Sequence, residues 1–117
     1  MTSVEDGCIF CHIVSGSIPA TISGENEMAL AFRDINPIAP VHILIIPKSH
    51  LENAMAIRPE DCAVIAKMFE LAQSIAKRES VSETGFRLVM NVGDDAANSV
   101  GHLHMHLIGG KRLGLMG

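Results

Sequence analysis

Apolar and polar residues alternate from His102 to Ile108. His102, His104 and His106 fall at one parity and Leu103, Met105 and Leu107 at the other. A period of two predicts a strand with the imidazoles on one face and the aliphatics on the other. Gly101 opens it and Gly109-Gly110 closes it. Thr21-Ile22-Ser23 and Glu27 to Arg33 read as two more strands, joined at Gly24-Glu25-Asn26. His42 to Ile46 is nearly all aliphatic, as expected of a central strand covered on both faces, and Pro47 stops it. Gly85 precedes a fourth strand, Phe86 to Val92, with Arg87, Val89 and Asn91 on one face.

The period changes to 3.6 between Pro59 and Glu79. Val64, Ile65, Met68, Phe69, Ala72, Ile75 and Ala76 recur at helical spacing. Pro59, Glu60 and Asp61 suit the start of a helix, and Lys77 and Arg78 suit its end. Cys8 to Val14 predicts a short helix ended by Gly16, and Pro19 holds Ile18 extended. Asp34-Ile35-Asn36-Pro37 is a turn. These elements predict an α+β domain: an antiparallel sheet of about five strands with one long helix and a short N-terminal helix. Length supports a single domain over 1–117.

Composition narrows the function. With 48% hydrophobic and 19% charged residues the chain can bury a core, and four Phe without Trp or Tyr make that core aliphatic. A net charge of −4 and few aromatics argue against nucleic-acid and anionic-membrane partners. No signal peptide is visible, the Ile43–Ile46 aliphatic run is too short to span a bilayer, and three Cys fit reduced thiols in a cytoplasm. A single nucleotide needs only a pocket, so it remains compatible with this surface.

Three imidazoles on one strand face exceed what a core needs, because each must satisfy two ring nitrogens. Imidazole is also the side chain suited to titrate, attack or ligate near neutral pH. Cys8-x-x-Cys11 is open between a redox pair, half of a zinc site and two small core residues. Zinc would need two further ligands, for which His50 and His102 are the candidates. Asp34 by itself is a turn residue, and Gly93 to Gly101 by itself is a surface loop. His12 reads as a surface residue and Cys62 as a small buried filler.

The run His-x-His-x-His followed by two apolar residues resembles the signature of the histidine triad family of nucleotide hydrolases and transferases. Phe32-Arg33-Asp34-Ile35, His42 to Pro47 and Gly109-Gly110 resemble its nucleotide-binding, Hint-like branch, and the likeness covers Cys8 to Gly110. It implies a HIT-like fold and a homodimer. The implied activity is hydrolysis of purine nucleoside phosphoramidates of the adenylyl-amine type. In that family the middle histidine, here His104, attacks the α-phosphorus and forms a nucleotidyl-histidine. His106 holds the phosphate or leaving group, and His42 supports the triad. The resemblance further implies that Asn91, Ala97 and Ser99 belong to a phosphate loop and that Asp34 accepts the ribose hydroxyls. Phe10 and Phe32, with Ile9, Ile13 and Ile18, would form the base pocket, and Ile35 would also contact substrate. Ala96-Ala97-Asn98 and Gly101 depart from the commoner Gly-Gly-Gln and aromatic before the triad. Cys8, Cys11, His50 and His102 resemble the ligands of zinc-binding bacterial triad proteins and galactose-phosphate uridylyltransferases, which implies a structural zinc. Three other readings stay open: a dinucleoside polyphosphate hydrolase or phosphorylase, a zinc-stabilised nucleotide-binding adaptor, and a metallohydrolase using the triad as ligands.

Overall fold

The computed structural model describes residues 7–116. Helix α1 (Ile9–Ser15) precedes strands β1 (Ile22–Glu25), β2 (Ala29–Arg33) and β3 (Val41–Pro47), then helix α2 (Cys62–Arg78), β4 (Phe86–Val89) and β5 (Met105–Gly109). The strands form one antiparallel sheet in the order β1-β2-β3-β5-β4. All seven residues of β3 are buried, as its unbroken aliphatic run requires of a strand covered on both faces.

One face of the sheet carries Ala29, Ala31, Val41, Ile43, Ile45, Met105 and Leu107. Against it α2 lays Met68, Leu71, Ala72, Ile75 and Ala76, spaced i, i+3, i+4, i+7 and i+8. Ala29 and Ala31 are fully buried beneath this layer, and their small side chains let the helix approach the sheet. Each large aliphatic removed from water here contributes about 1.5–3 kcal/mol. The opposite face carries Leu30, Phe32, Leu44 and Ile46, covered by Phe10, Cys11 and Ile13 of α1. Alternation along β3 and β5 places His42 and His106 on this second face.

Several boundaries differ from the sequence expectation. The triad strand begins at Met105, not at His102. The backbone of 102–104 turns toward the chain after β3 instead: Leu103 N–H donates to the Leu51 carbonyl at 2.6 Å. β4 ends at Val89, where it pairs with His106, and Asn91 lies outside the ladder. The β1–β2 turn centres on Asn26, whose Oδ1 accepts from Met28 and Ala29 N–H groups. A 3-10 turn over Pro59–Asp61 precedes α2, with Arg58 N–H donating to Asp61 Oδ2 at 2.9 Å. Cys62 is exposed in the first turn of α2, so it is no core filler. Phe69 is also exposed, at the edge of the packed stripe, one heptad before Ala76. Among the described residues no helix is long and apolar enough to cross a membrane.

Candidate active site and metal cluster

Cys8 caps the start of helix α1, its Sγ accepting from the Cys11 backbone N–H at 3.3 Å, and Gly16 caps its end with φ 84°. This short turn of helix sets Cys8 and Cys11 on one side and points Phe10 at the histidines. The Phe10 ring meets His104 edge to face at 5.3 Å and Phe32 at 5.4 Å.

A cleft of about 510 Å³ opens on this face of the sheet. Ile9, Phe10, Ile13, Ile18, Phe32 and Leu44 form its apolar wall. Asp34, Ile35, Ser99, His104 and His106 also line it, so the structure gathers ten of the expected substrate and catalytic residues in one place. Asn91 and Ala97 are not brought to it. Asn91 follows the early end of β4. Ala97 ends an exposed 3-10 turn in the left-handed conformation, at φ 59°. His42 is buried behind His106 instead of facing the cleft.

The hydrogen bonds assign the imidazole tautomers. His104 Nδ1 lies 2.7 Å from the His102 carbonyl, so it carries the proton and leaves the Nε2 lone pair free. Ile38 N–H donates to His42 Nδ1 at 3.2 Å, which puts the His42 proton on Nε2. That proton is donated to His106 Nδ1 at 2.9 Å, with Asp34 Oδ2 at 3.4 Å. His106 must then hold its own proton on Nε2. One ring thus offers a nucleophilic lone pair and the next a donor. Asp34 is anchored as the turn residue it looked like, since its Oδ1 accepts from Asn36 N–H at 2.8 Å.

Burial holds His106 far below the usual imidazole range, at about 4, with the neighbouring His104 and His42 acting the same way and Asp34 opposing them. Folded protein therefore keeps His106 neutral where the unfolded chain, near 6.5, would bind a proton. The unfolded state binds more protons between pH 6.5 and 4, so stability falls as pH drops through that window and levels off below it. Urea unfolding from pH 7 to 4 checks this. His106→Asn should flatten the slope, and an unchanged slope would show that His106 does not supply it.

Behind His104, the donor atoms of Cys8, Cys11, His50 and His102 lie within 4.8 Å of one another. Cys8 Sγ is 3.2 Å from His102 Nδ1, and Cys11 Sγ is 3.3 Å from His50 Nδ1. The sulfur–nitrogen edge of a tetrahedral zinc site is about 3.6 Å for its usual bond lengths. His102 Nε2 donates to the Pro47 carbonyl at 3.0 Å, so its Nδ1 lone pair is turned to the thiols. Burial also lowers the pKa of His102, which favours the neutral form that a metal needs. These four residues could hold a metal ion. Cys8 and Cys11 are not joined in a disulfide.

Asp34, His42 and His106 form a second cluster of comparable size. Its outer contacts oppose ligation. Ile38 N–H occupies His42 Nδ1, so the Nε2 that faces the cluster bears a proton and has no lone pair to offer. That argues against this cluster, which holds one of the three triad histidines, as a catalytic metal site.

The sequence pattern did not mark Asn98. Its Oδ1 is buried without a hydrogen-bond partner among the described residues, one position before Ser99. A small polar residue in a Gly-bounded loop was the only signal for it.

Fold and site together define the class: a small α+β domain of the histidine-triad type. The chain belongs to the HIT domain family, whose sequence model matches residues 15–113. The match takes in His50 and all three triad histidines and leaves Cys8 and Cys11 outside. A purine nucleoside phosphoramidase of Escherichia coli K12 is 40% identical over 108 residues, 92% of this chain and 91% of that protein. A HIT family hydrolase from Clostridium thermocellum superposes with a TM-score of 0.93 at 39% identity, covering 97% of this chain and 98% of that one. A histidine triad protein from Clostridium difficile gives the same score at 37% identity, covering 98% and 100%.

Proposed function

We propose that the protein is a Hint-like hydrolase that cleaves the phosphorus–nitrogen bond of purine nucleoside phosphoramidates. The observation that carries this reading is the tautomer of His104: its Nδ1–H is tied to the His102 carbonyl, and its Nε2 lone pair is left for attack beside the cleft. In the first step Nε2 bonds to the α-phosphorus and the bond to nitrogen breaks. The departing amine takes a proton, for which the Ser99 hydroxyl and His106 Nε2–H are the donors at hand. Water then cleaves the nucleotidyl-histidine and restores His104. The neutral His106 donor also offsets charge growing on the phosphoryl oxygens. The apolar wall, with its Phe10–Phe32 pair, suits a planar purine. The E. coli relative, named for phosphoramidase activity, supports this leaving-group class. Steady-state rates on adenosine phosphoramidates and dinucleoside polyphosphates test it, since faster turnover of the polyphosphates would reject the phosphoramidase reading.

Asp34 is the ribose reader in this proposal. A carboxylate accepting two hydroxyls makes charge-assisted bonds worth about 1.5–3 kcal/mol each. Wild type should bind adenosine monophosphate at least tenfold more tightly than its 2′-deoxy form, and Asp34→Asn should lose most of that preference. Equal discrimination by both proteins in calorimetry would leave Asp34 as a turn residue only.

The reading also places structural zinc in the Cys8/Cys11/His50/His102 cluster. Four protein ligands fill a tetrahedral shell, so zinc would staple α1 to the sheet and leave His104 uncoordinated. Retained thiols fit a cytoplasmic setting. A homodimer is part of the proposal as well. Strand β4 lies at the sheet edge with Phe86 exposed on it, and a second copy would cover that surface. Light scattering on the purified chain reads the mass directly.

A further inference from the structure

A second cavity, of about 450 Å³, lies on the other side of Ile9, Ser99 and Val100 from the nucleotide cleft. Gly7, Cys8, His50, Glu52 and Gly101 complete its lining. It reaches two of the four clustered donor residues, Cys8 and His50. The other two, Cys11 and His102, are sealed at 1% and 0% exposure and do not line it. Among the described residues, the open approach from solvent to the cluster is therefore on this side. Glu52 is the one acidic side chain among the described residues that line the cavity.

The carboxylate stands in space that Gly101 leaves open. A Cβ at Gly101 would lie 2.5 Å from Glu52 Oε2, and its three nearest neighbours would all be atoms of that carboxylate group. A side chain at 101 would thus displace Glu52 without first meeting backbone. His50 places its Nδ1 toward Cys11. The same residue lines the cavity that Glu52 faces.

We propose that this cavity is the exchange portal of the metal cluster, with Glu52 as the carboxylate that draws a divalent cation in and Gly101 as the gap that keeps the portal open. This inference rests on the cluster holding a metal. A negative charge at the mouth of a cavity raises the local cation concentration and hence the capture rate. Glu52 lies outside the four-donor set, so its effect should fall on rates and leave the bound state as it is.

Stopped-flow loading of chelator-stripped protein with Co2+ alone tests this, read by the visible and near-ultraviolet bands of a cobalt–thiolate centre. Release to excess chelator gives the reverse rate. For Glu52→Gln we expect loading about three- to tenfold slower at low ionic strength, converging on wild type as salt screens the charge. The final spectrum and stoichiometry should be unchanged. Gly101→Val should slow loading and release by similar factors, leaving the affinity within about twofold, because a narrowed path changes both directions alike. Loading of Glu52→Gln at the wild-type rate at low salt would overturn the portal while leaving the metal cluster intact. An altered cobalt spectrum in Glu52→Gln would overturn it too, by making Glu52 a ligand. Failure of the wild type to bind cobalt at equilibrium would overturn the metal reading, and the portal with it.

Discussion

His104→Ala is expected to lower phosphoramidate turnover by at least about 10³-fold while nucleotide binding persists. The covalent route runs through one atom, His104 Nε2, and neither neighbouring ring can replace it. His102 turns its free nitrogen to the thiols and donates the other to Pro47, and His106 presents a protonated nitrogen. Binding should survive because Asp34 and the apolar wall are untouched. Quenching turnover of substrate labelled at the α-phosphorus should trap label on the wild-type chain and none on the variant. Near wild-type turnover by His104→Ala would sink the assignment of the nucleophile. Lost turnover with retained binding would also exclude a pure adaptor, since an adaptor has no turnover to lose.

The second large effect is expected on metal removal. A ligand that binds only the folded chain stabilises it by about 4 kcal/mol when present at a thousand times its Kd. For a domain of this size that corresponds to a Tm lower by roughly 10–15 °C after chelation, restored by added Zn2+. Cys11→Ser removes the most buried thiolate of the set, so its melting curve should be low from the outset and indifferent to chelator. Protein purified without an affinity metal column should carry one zinc per chain by elemental analysis. Sub-stoichiometric zinc combined with a Tm that does not move on zinc addition would remove the site. Zinc lost in His106→Ala and kept in Cys8→Ser would move the metal to the other cluster, against the tautomer argument for His42.

What was legible in the sequence was local. The all-aliphatic β3 announced its burial on both faces, and the spacing of Met68, Ala72, Ile75 and Ala76 announced the packed stripe of α2. The four sulfur and nitrogen donors could be named from motif spacing because ligand chemistry restricts the residue types so strongly. What failed depended on partners distant in sequence. The alternation at His102 and Leu103 looked like strand, yet the Leu103 N–H is taken by Leu51, so the ladder starts two residues after that. β4 also stops early, at Val89, and leaves Asn91 outside the ladder. Phe69 and Cys62 were misread because helical period alone does not say how wide the covered stripe will be. Glu52 carried no signal at all: its position is defined by the missing side chain of a residue 49 positions later.

Helix α1 spans only seven residues, too few to be stable by itself in water. With its N-cap Cys8 it nevertheless contributes two thiols to the Cys/His cluster proposed to hold zinc, and Phe10 and Ile13 to the cleft proposed to take nucleotide. Anything that orders it from one side lowers the entropy left to be lost from the other. The two sites therefore share a single free-energy term, and linkage makes that term symmetric. In the proposed holoprotein, by whatever factor the ion tightens the hold on nucleotide, nucleotide must tighten the hold on the ion.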